Sequence, residues 1–91
     1  MAIVAKFDVS GMTADKYNES LRRLEAAGAG PGRAGHLYHV CYGGQDNLQV
    51  IDMYDSPQSL ESFGKILGPI LQGLGVEASP DVQEVYNTVQ G

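Results

Sequence analysis

"GHLYHVCYGGQDNLQVIDMY", residues 35–54, sets two apolar runs on either side of Gly43-Gly44-Gln45-Asp46-Asn47. Glycine and Asn/Asp tolerate the positive φ of tight turns, so the stretch reads as an antiparallel hairpin whose second strand is Leu48 to Tyr54. Register decides what the hairpin can do. If Gly43 pairs with Leu48 around a four-residue loop, His39 falls opposite Asp52 and Leu37 opposite Tyr54. A one-residue slip pairs Tyr38 with Asp52 instead and turns His39 to the other face. The first register is the expectation. Within it, strict alternation groups Leu37, His39 and Cys41 on one face and His36, Tyr38, Val40 and Tyr42 on the other.

Outward from the hairpin, residues 2–9 alternate Ile3, Ala5, Phe7 and Val9 with Val4, Lys6 and Asp8, the period of a strand with unlike faces. Thr13 stands at an N-cap position, and Tyr17, Leu21 and Leu24 form one stripe of a helix from Ala14 to Ala27. Gly28 suits the end of that helix, and "GAGPGRAG" (28–35) is loop by composition. Asp55 or Ser56 can cap a second helix, with Pro57 in its first turn. Leu60, Phe63, Leu67, Ile70, Leu71 and Leu74 continue at helical spacing to Gly75. Gly68-Pro69 predicts a kink or a break, because proline removes a hydrogen bond and crowds the preceding turn. "EASPD" (77–81) reads as a linker, and Gln83 to Val89 as the last strand.

The order β-α-β-β-α-β predicts an α+β, ferredoxin-like fold over residues 1–91. It has a four-stranded antiparallel sheet of order 4-1-3-2, with both helices on one face. The uncovered face is expected to carry Leu48, Val50 and Tyr54. A second copy should therefore cover it, making a homodimer. A chain of 91 residues buries only about 60 to 65% of its unfolded surface, so leftover apolar area finds a partner readily.

Composition narrows the function classes. The formal charge is −5, and the six Lys and Arg residues are scattered, so no basic stripe exists to follow a phosphate backbone. Nucleic acid is not expected. No apolar segment approaches the roughly 20 residues that span a bilayer, so no membrane partner is expected either. One cysteine cannot close an internal disulfide, and no basic region with a long apolar run stands at the start. A cytoplasmic location is the expectation.

Three features together resemble the dimeric α/β-barrel superfamily, in the branch of antibiotic-biosynthesis-monooxygenase-like proteins. They are the element order, a histidine in "YHV" (His39), and the run "VIDMYDSPQSLESF" (50–63). There a strand passes directly into a helix, with Tyr54 at the aromatic position, Ser56 at the serine and Phe63 in the helix. The resemblance implies a dimer with one pocket per subunit between sheet and helices. Members use such pockets for cofactor-free oxidation of polycyclic aromatics, haem degradation, chlorite chemistry, isomerisation or binding. Residues 6–8 are Lys, Phe and Asp, and the second helix has no histidine, so the haem-degrading arrangement is not expected.

The candidate catalytic residues are His39, Asp52 and Tyr54. Asp52 opposite His39 can hold the imidazole in one tautomer for use as a general base, and the Tyr54 phenol can donate to a substrate oxygen. No cofactor is expected. No metal site is expected either, since His36 and His39 in "H-x-x-H-x-C" point to opposite faces of an ideal strand. Cys41 reads as a small hydrophobe. The functional expectation is a homodimer that holds a small, aromatic or polyketide-like molecule, as a cofactor-independent monooxygenase or isomerase. The alternative is a non-catalytic dimeric binding or accessory protein.

Overall fold

The computed structural model describes residues 1–30 and 34–89. The elements run β1 (Ile3–Ser10), α1 (Ala14–Ala26), β2 (His36–Gly44), β3 (Asn47–Tyr54), α2 (Pro57–Gly73) and β4 (Glu77–Glu84). They build one antiparallel sheet of order β2-β3-β1-β4, the expected 4-1-3-2 read from its other edge. The fold is ferredoxin-like.

Both helices begin where capping chemistry places them. The Thr13 hydroxyl accepts from the Lys16 amide at 3.2 Å, and of the two candidates for α2 it is Ser56 that caps, accepting from the Ser59 amide at 3.3 Å. Pro57 follows in the first turn. The expected kink or break at Gly68-Pro69 does not divide the second helix, which continues through Pro69 to Gly73. Lys65, Gly68 and Pro69 are all exposed, so water can serve the carbonyl that proline leaves without a donor.

The last strand lies earlier than expected. It is Glu77–Glu84, and it includes the presumed linker, while residues 85–89 continue without strand structure. Pro80 is accommodated because β4 is an edge strand, where a missing amide can face solvent. It pairs along the whole of β1, with Pro80 opposite Phe7 and Ala78 opposite Val9.

Alternation assigns the two sheet faces. Ile3, Ala5, Phe7 and Val9 of β1 are buried beneath the helices. Register with β1 puts Val50, Asp52 and Tyr54 on that same side. This corrects the expectation that Leu48, Val50 and Tyr54 occupy the uncovered face: Tyr54 has no exposed surface and packs with Ile3, Leu24 and Phe63, while Leu48 packs against the cluster around Ala5 and Phe7. Hydrophobic burial is strongest between two layers, and β3 is next to the centre of the sheet. The open face carries Val4, Ile51, Met53, Val40, Tyr38 and Tyr42 instead.

Pro69 sits on an exposed turn of α2, where a proline costs up to about 3 kcal/mol relative to alanine. Pro69→Ala is expected to raise stability by about 1–3 kcal/mol, measured as a higher urea midpoint at unchanged slope. A lowered midpoint would show that the proline shapes the packing of α2.

Candidate active site

The site begins with a carboxylate that folding has buried. Asp52 is 2% exposed and sits in a strand whose alternate residues are core, so its charge must be matched by donors. The expected register supplies one. Gly43 pairs with Leu48, and His39 stands directly opposite Asp52. His39 Nδ1 lies 2.6 Å from Asp52 Oδ1. A carboxylate only accepts, so the proton is on Nδ1 and the Nε2 lone pair is left free to accept.

The second donor corrects the alternation. A bulge between His36 and Tyr38 makes Leu37 an extra residue, and His36 rather than Leu37 faces Tyr54. Leu37 turns outward, 57% exposed. His36 therefore shares the helix side with His39, and its Nε2 donates to the same Asp52 Oδ1 at 2.9 Å. The two imidazoles converge, contrary to the expectation from an unbroken strand.

Gly35 fixes where this bulged end begins. Its φ is +85°, and a Cβ there would collide with the Ser59 hydroxyl of α2. The Asp55 amide donates to the Gly35 carbonyl at 2.8 Å. Asp55 Oδ1 in turn accepts from the Ser59 hydroxyl at 2.6 Å, and that bond holds the Asp55 carboxyl below its usual range.

Tyr17 completes the chain from above. The hairpin tip is tied to the start of α1, with Ala14 N–H donating to Gln45 at 2.8 Å and Leu48 N–H to Met12 at 2.9 Å. One turn later the Tyr17 hydroxyl reaches His39 Nε2 at 2.6 Å and donates to its lone pair. Burial first, then the neighbouring Cys41 thiol and Asp52 carboxylate, push the phenol from 10.0 up to about 12. Burial also raises the Cys41 thiol, which keeps it in its neutral form.

Tyr54 takes a different place from the one expected. It is fully buried and stacks on His36, with ring centroids 4.9 Å apart and 24° between planes. Phe63 packs against both rings. Among the described residues that line the cavity, His36, His39, Asp52 and Tyr17 appear and Tyr54 does not. Its ring braces His36 from behind.

That cavity lies between the sheet and both helices and measures about 60 Å³. Beyond the polar chain its wall is apolar, formed by residues such as Phe7, Leu24, Val50, Phe63 and Leu71. An apolar pocket with a few convergent polar groups is the usual form of a small-molecule site. Sequence reasoning placed His39 opposite Asp52, as the register has it, but read Tyr17 as helix stripe and His36 as lying on the strand face opposite to His39. Gly35 directly before His36 signals only the positive-φ backbone that leads into β2.

Solved structures share this arrangement of elements. SnoaB, a cofactor-independent oxygenase from Streptomyces nogalater, superposes with a TM-score of 0.60 at 16% identity, over 99% of this chain and 96% of its own. A candidate monooxygenase from Shewanella loihica PV-4 gives 0.54 at 17% identity, over 96% of both chains. The chain shares with both a ferredoxin-like fold. No family model and no curated protein matches the sequence. No helix among the described residues is long and apolar enough to cross a membrane.

The position of Tyr17 has a measurable pH signature. In the unfolded chain its phenol ionises near 10.0, and in the folded chain near 12. A raised pKa contributes stability that is full below pH 10 and is lost as pH rises through about 12. Spectrophotometric titration is expected to show a tyrosine phase near pH 12 that shrinks in Tyr17→Phe, and the variant's stability should fall less steeply between pH 10 and 12.

Proposed function

We propose that the protein is a cofactor-independent oxygenase or isomerase acting on a small aromatic or polyketide-like molecule, with His39 as general base. The observation that carries this reading is the chain Tyr17–His39–Asp52, with hydrogen bonds of 2.6 Å at both links, set in the wall of an otherwise apolar cavity. The oxygenase activity named for SnoaB, a structural neighbour, supports it.

Asp52 holds the His39 tautomer that leaves Nε2 able to take a proton. Tyr17 occupies Nε2, so a substrate hydroxyl or enol reaches the base through it. The substrate O–H donates to the phenol oxygen, the phenol proton passes to Nε2, and the substrate proton stays on Tyr17. The phenol ends protonated, as its raised pKa favours, and its O–H can then donate to the anion formed. In an oxygenase that electron-rich anion would itself reduce dioxygen. In an isomerase it would be reprotonated at another carbon. The cavity of about 60 Å³ is smaller than one of about 150 Å³ that holds benzene, so an aromatic substrate would extend beyond it or widen it.

A non-catalytic binding protein is the second reading, favoured by the fact that both ring nitrogens of His39 already have partners within the chain. The two readings part on one assay with a panel of hydroxylated aromatic compounds. His39→Ala is expected to lower turnover by 10²-fold or more with an unchanged circular dichroism spectrum. Tyr17→Phe should lower it by at least tenfold. If no compound turns over and His39→Ala alters affinity alone, the protein is a binder.

The open face supports a homodimer. Val4, Ile51, Met53 and Val40 are only half-buried there, and Tyr38 and Tyr42 are 57% and 39% exposed. They lie contiguously across three paired strands. A stable interface buries roughly 800 Å² on each partner, and a second copy presents the same face by symmetry. Melting temperature is expected to rise with protein concentration, and Ile51→Lys to abolish that rise. A melt independent of concentration, with a monomeric sedimentation coefficient, would remove the dimer.

A further inference from the structure

The geometry points to a divalent transition-metal site in the buried cluster, bound through His36 Nε2, His39 Nδ1 and an Asp52 carboxylate oxygen. One ligand atom from each of these residues lies within 4.8 Å of the others, and the two nitrogens stand 2.9 and 2.6 Å from the same carboxylate oxygen. An ion held about 2.0–2.2 Å from each donor keeps its ligands roughly 3 Å apart, so binding requires small movements of these side chains.

Folding has already done most of the work of assembling the ligands. The His36 and Asp52 side chains are 7% and 3% exposed, and that of His39 is 26% exposed. Stacking on Tyr54 fixes the His36 ring. Pairing across the strands fixes His39 over Asp52. The ring nitrogen of His39 that stays away from the ion has a partner too, the Tyr17 hydroxyl at 2.6 Å, as metal-bound imidazoles generally do.

The donor set selects the class of ion. Two imidazoles and one carboxylate suit zinc, cobalt, nickel or iron(II), whereas magnesium and calcium prefer oxygen donors throughout. Three protein ligands leave at least one position of the ion for a water or a small ligand, and all three residues line the cavity.

Occupancy would reverse the polarity of the site. As folded, His39 carries its proton on Nδ1 and accepts at Nε2. An ion on Nδ1 moves that proton to Nε2, which must then donate to the Tyr17 oxygen and can no longer take a proton. Metal binding and the base chemistry proposed above therefore exclude one another. This consequence rests on that functional reading, while the binding itself does not.

Cobalt(II) chloride is the probe, titrated into the full chain and followed by visible absorption and equilibrium dialysis. One ion per chain is expected, with affinity reduced at least tenfold in both His36→Asn and Asp52→Asn. No binding below millimolar cobalt, or wild-type affinity in either variant, would overturn the site. Should the variants fail to fold, the wild-type chain still decides the matter, because it contains only two histidines. The first equivalent of cobalt(II) is expected to shift or broaden the ring resonances of both, and unchanged ring signals would overturn the assignment. Binding needs no substrate, so its failure is distinct from failure of the base chemistry, which the His39→Ala turnover assay decides.

Discussion

A carboxylate enclosed by apolar side chains must find donors or give up its charge, and that requirement at Asp52 organises the centre of this protein. Removing such an ion from water costs several kcal/mol even after relaxation. Two imidazole N–H groups on one oxygen answer it. Each in turn needs a local device. His39 needs only the hairpin register, whereas His36 needs the Leu37 bulge and the left-handed backbone at Gly35. Tyr17 then closes the remaining position on His39 from the helix layer. A substitution at Gly35 would thus reach the site through the backbone, without touching a polar atom of it.

The same face of the sheet has two duties. Between sheet and helices lie both the apolar core, with Ala5, Phe7, Val50 and Leu71, and the polar chain on β2 and β3. The core supplies the dry surroundings that make each hydrogen bond in the chain electrostatically stronger than it would be in water. The cluster containing Ile3, Leu24, Tyr54 and Phe63 is where the two meet, because Tyr54 is a core residue on one side and a brace for His36 on the other. The site is therefore as rigid as the packing of Tyr54 and Phe63 allows. A ring flip or a cavity there would move His36 first.

Much of the architecture was legible because its signals are local. Thr13 and Ser56 cap helices by their own hydroxyls, and the glycine-rich turn with flanking alternation placed Gly43 opposite Leu48, which carried His39 to Asp52. The misreadings share a different cause, namely that the deciding contact is distant in sequence. Pro80 resembles a linker residue until β4 is known to be an edge strand beside β1. Leu37 looks like one more alternating position, since nothing in its own chemistry marks it as the extra residue of a bulge. Tyr17 falls on the same stripe as Leu21 and Leu24, and periodicity cannot separate a packing tyrosine from one whose hydroxyl reaches another layer. Val50 and Tyr54 were assigned to the wrong face because alternation orders residues along a strand without saying which side the helices take.

Order along the polar chain also fixes the direction in which a proton can move. Asp52 accepts from both histidines, so the route cannot continue through it while both N–H bonds persist. His39 is the terminus, and Tyr17 is the member able both to donate to it and to accept from a molecule in the cavity. Uptake of a proton at Nε2 creates an imidazolium against the Asp52 carboxylate, 2.6 Å from Nδ1, so the new positive charge is matched without any rearrangement. In the proposed reaction the negative charge left on a substrate would meet the Tyr17 O–H, whose ionisation only near pH 12 keeps it a donor throughout the physiological range. Charge created by that reaction within the apolar cavity would thus be stabilised at both ends by groups that the fold had already placed to satisfy one buried aspartate.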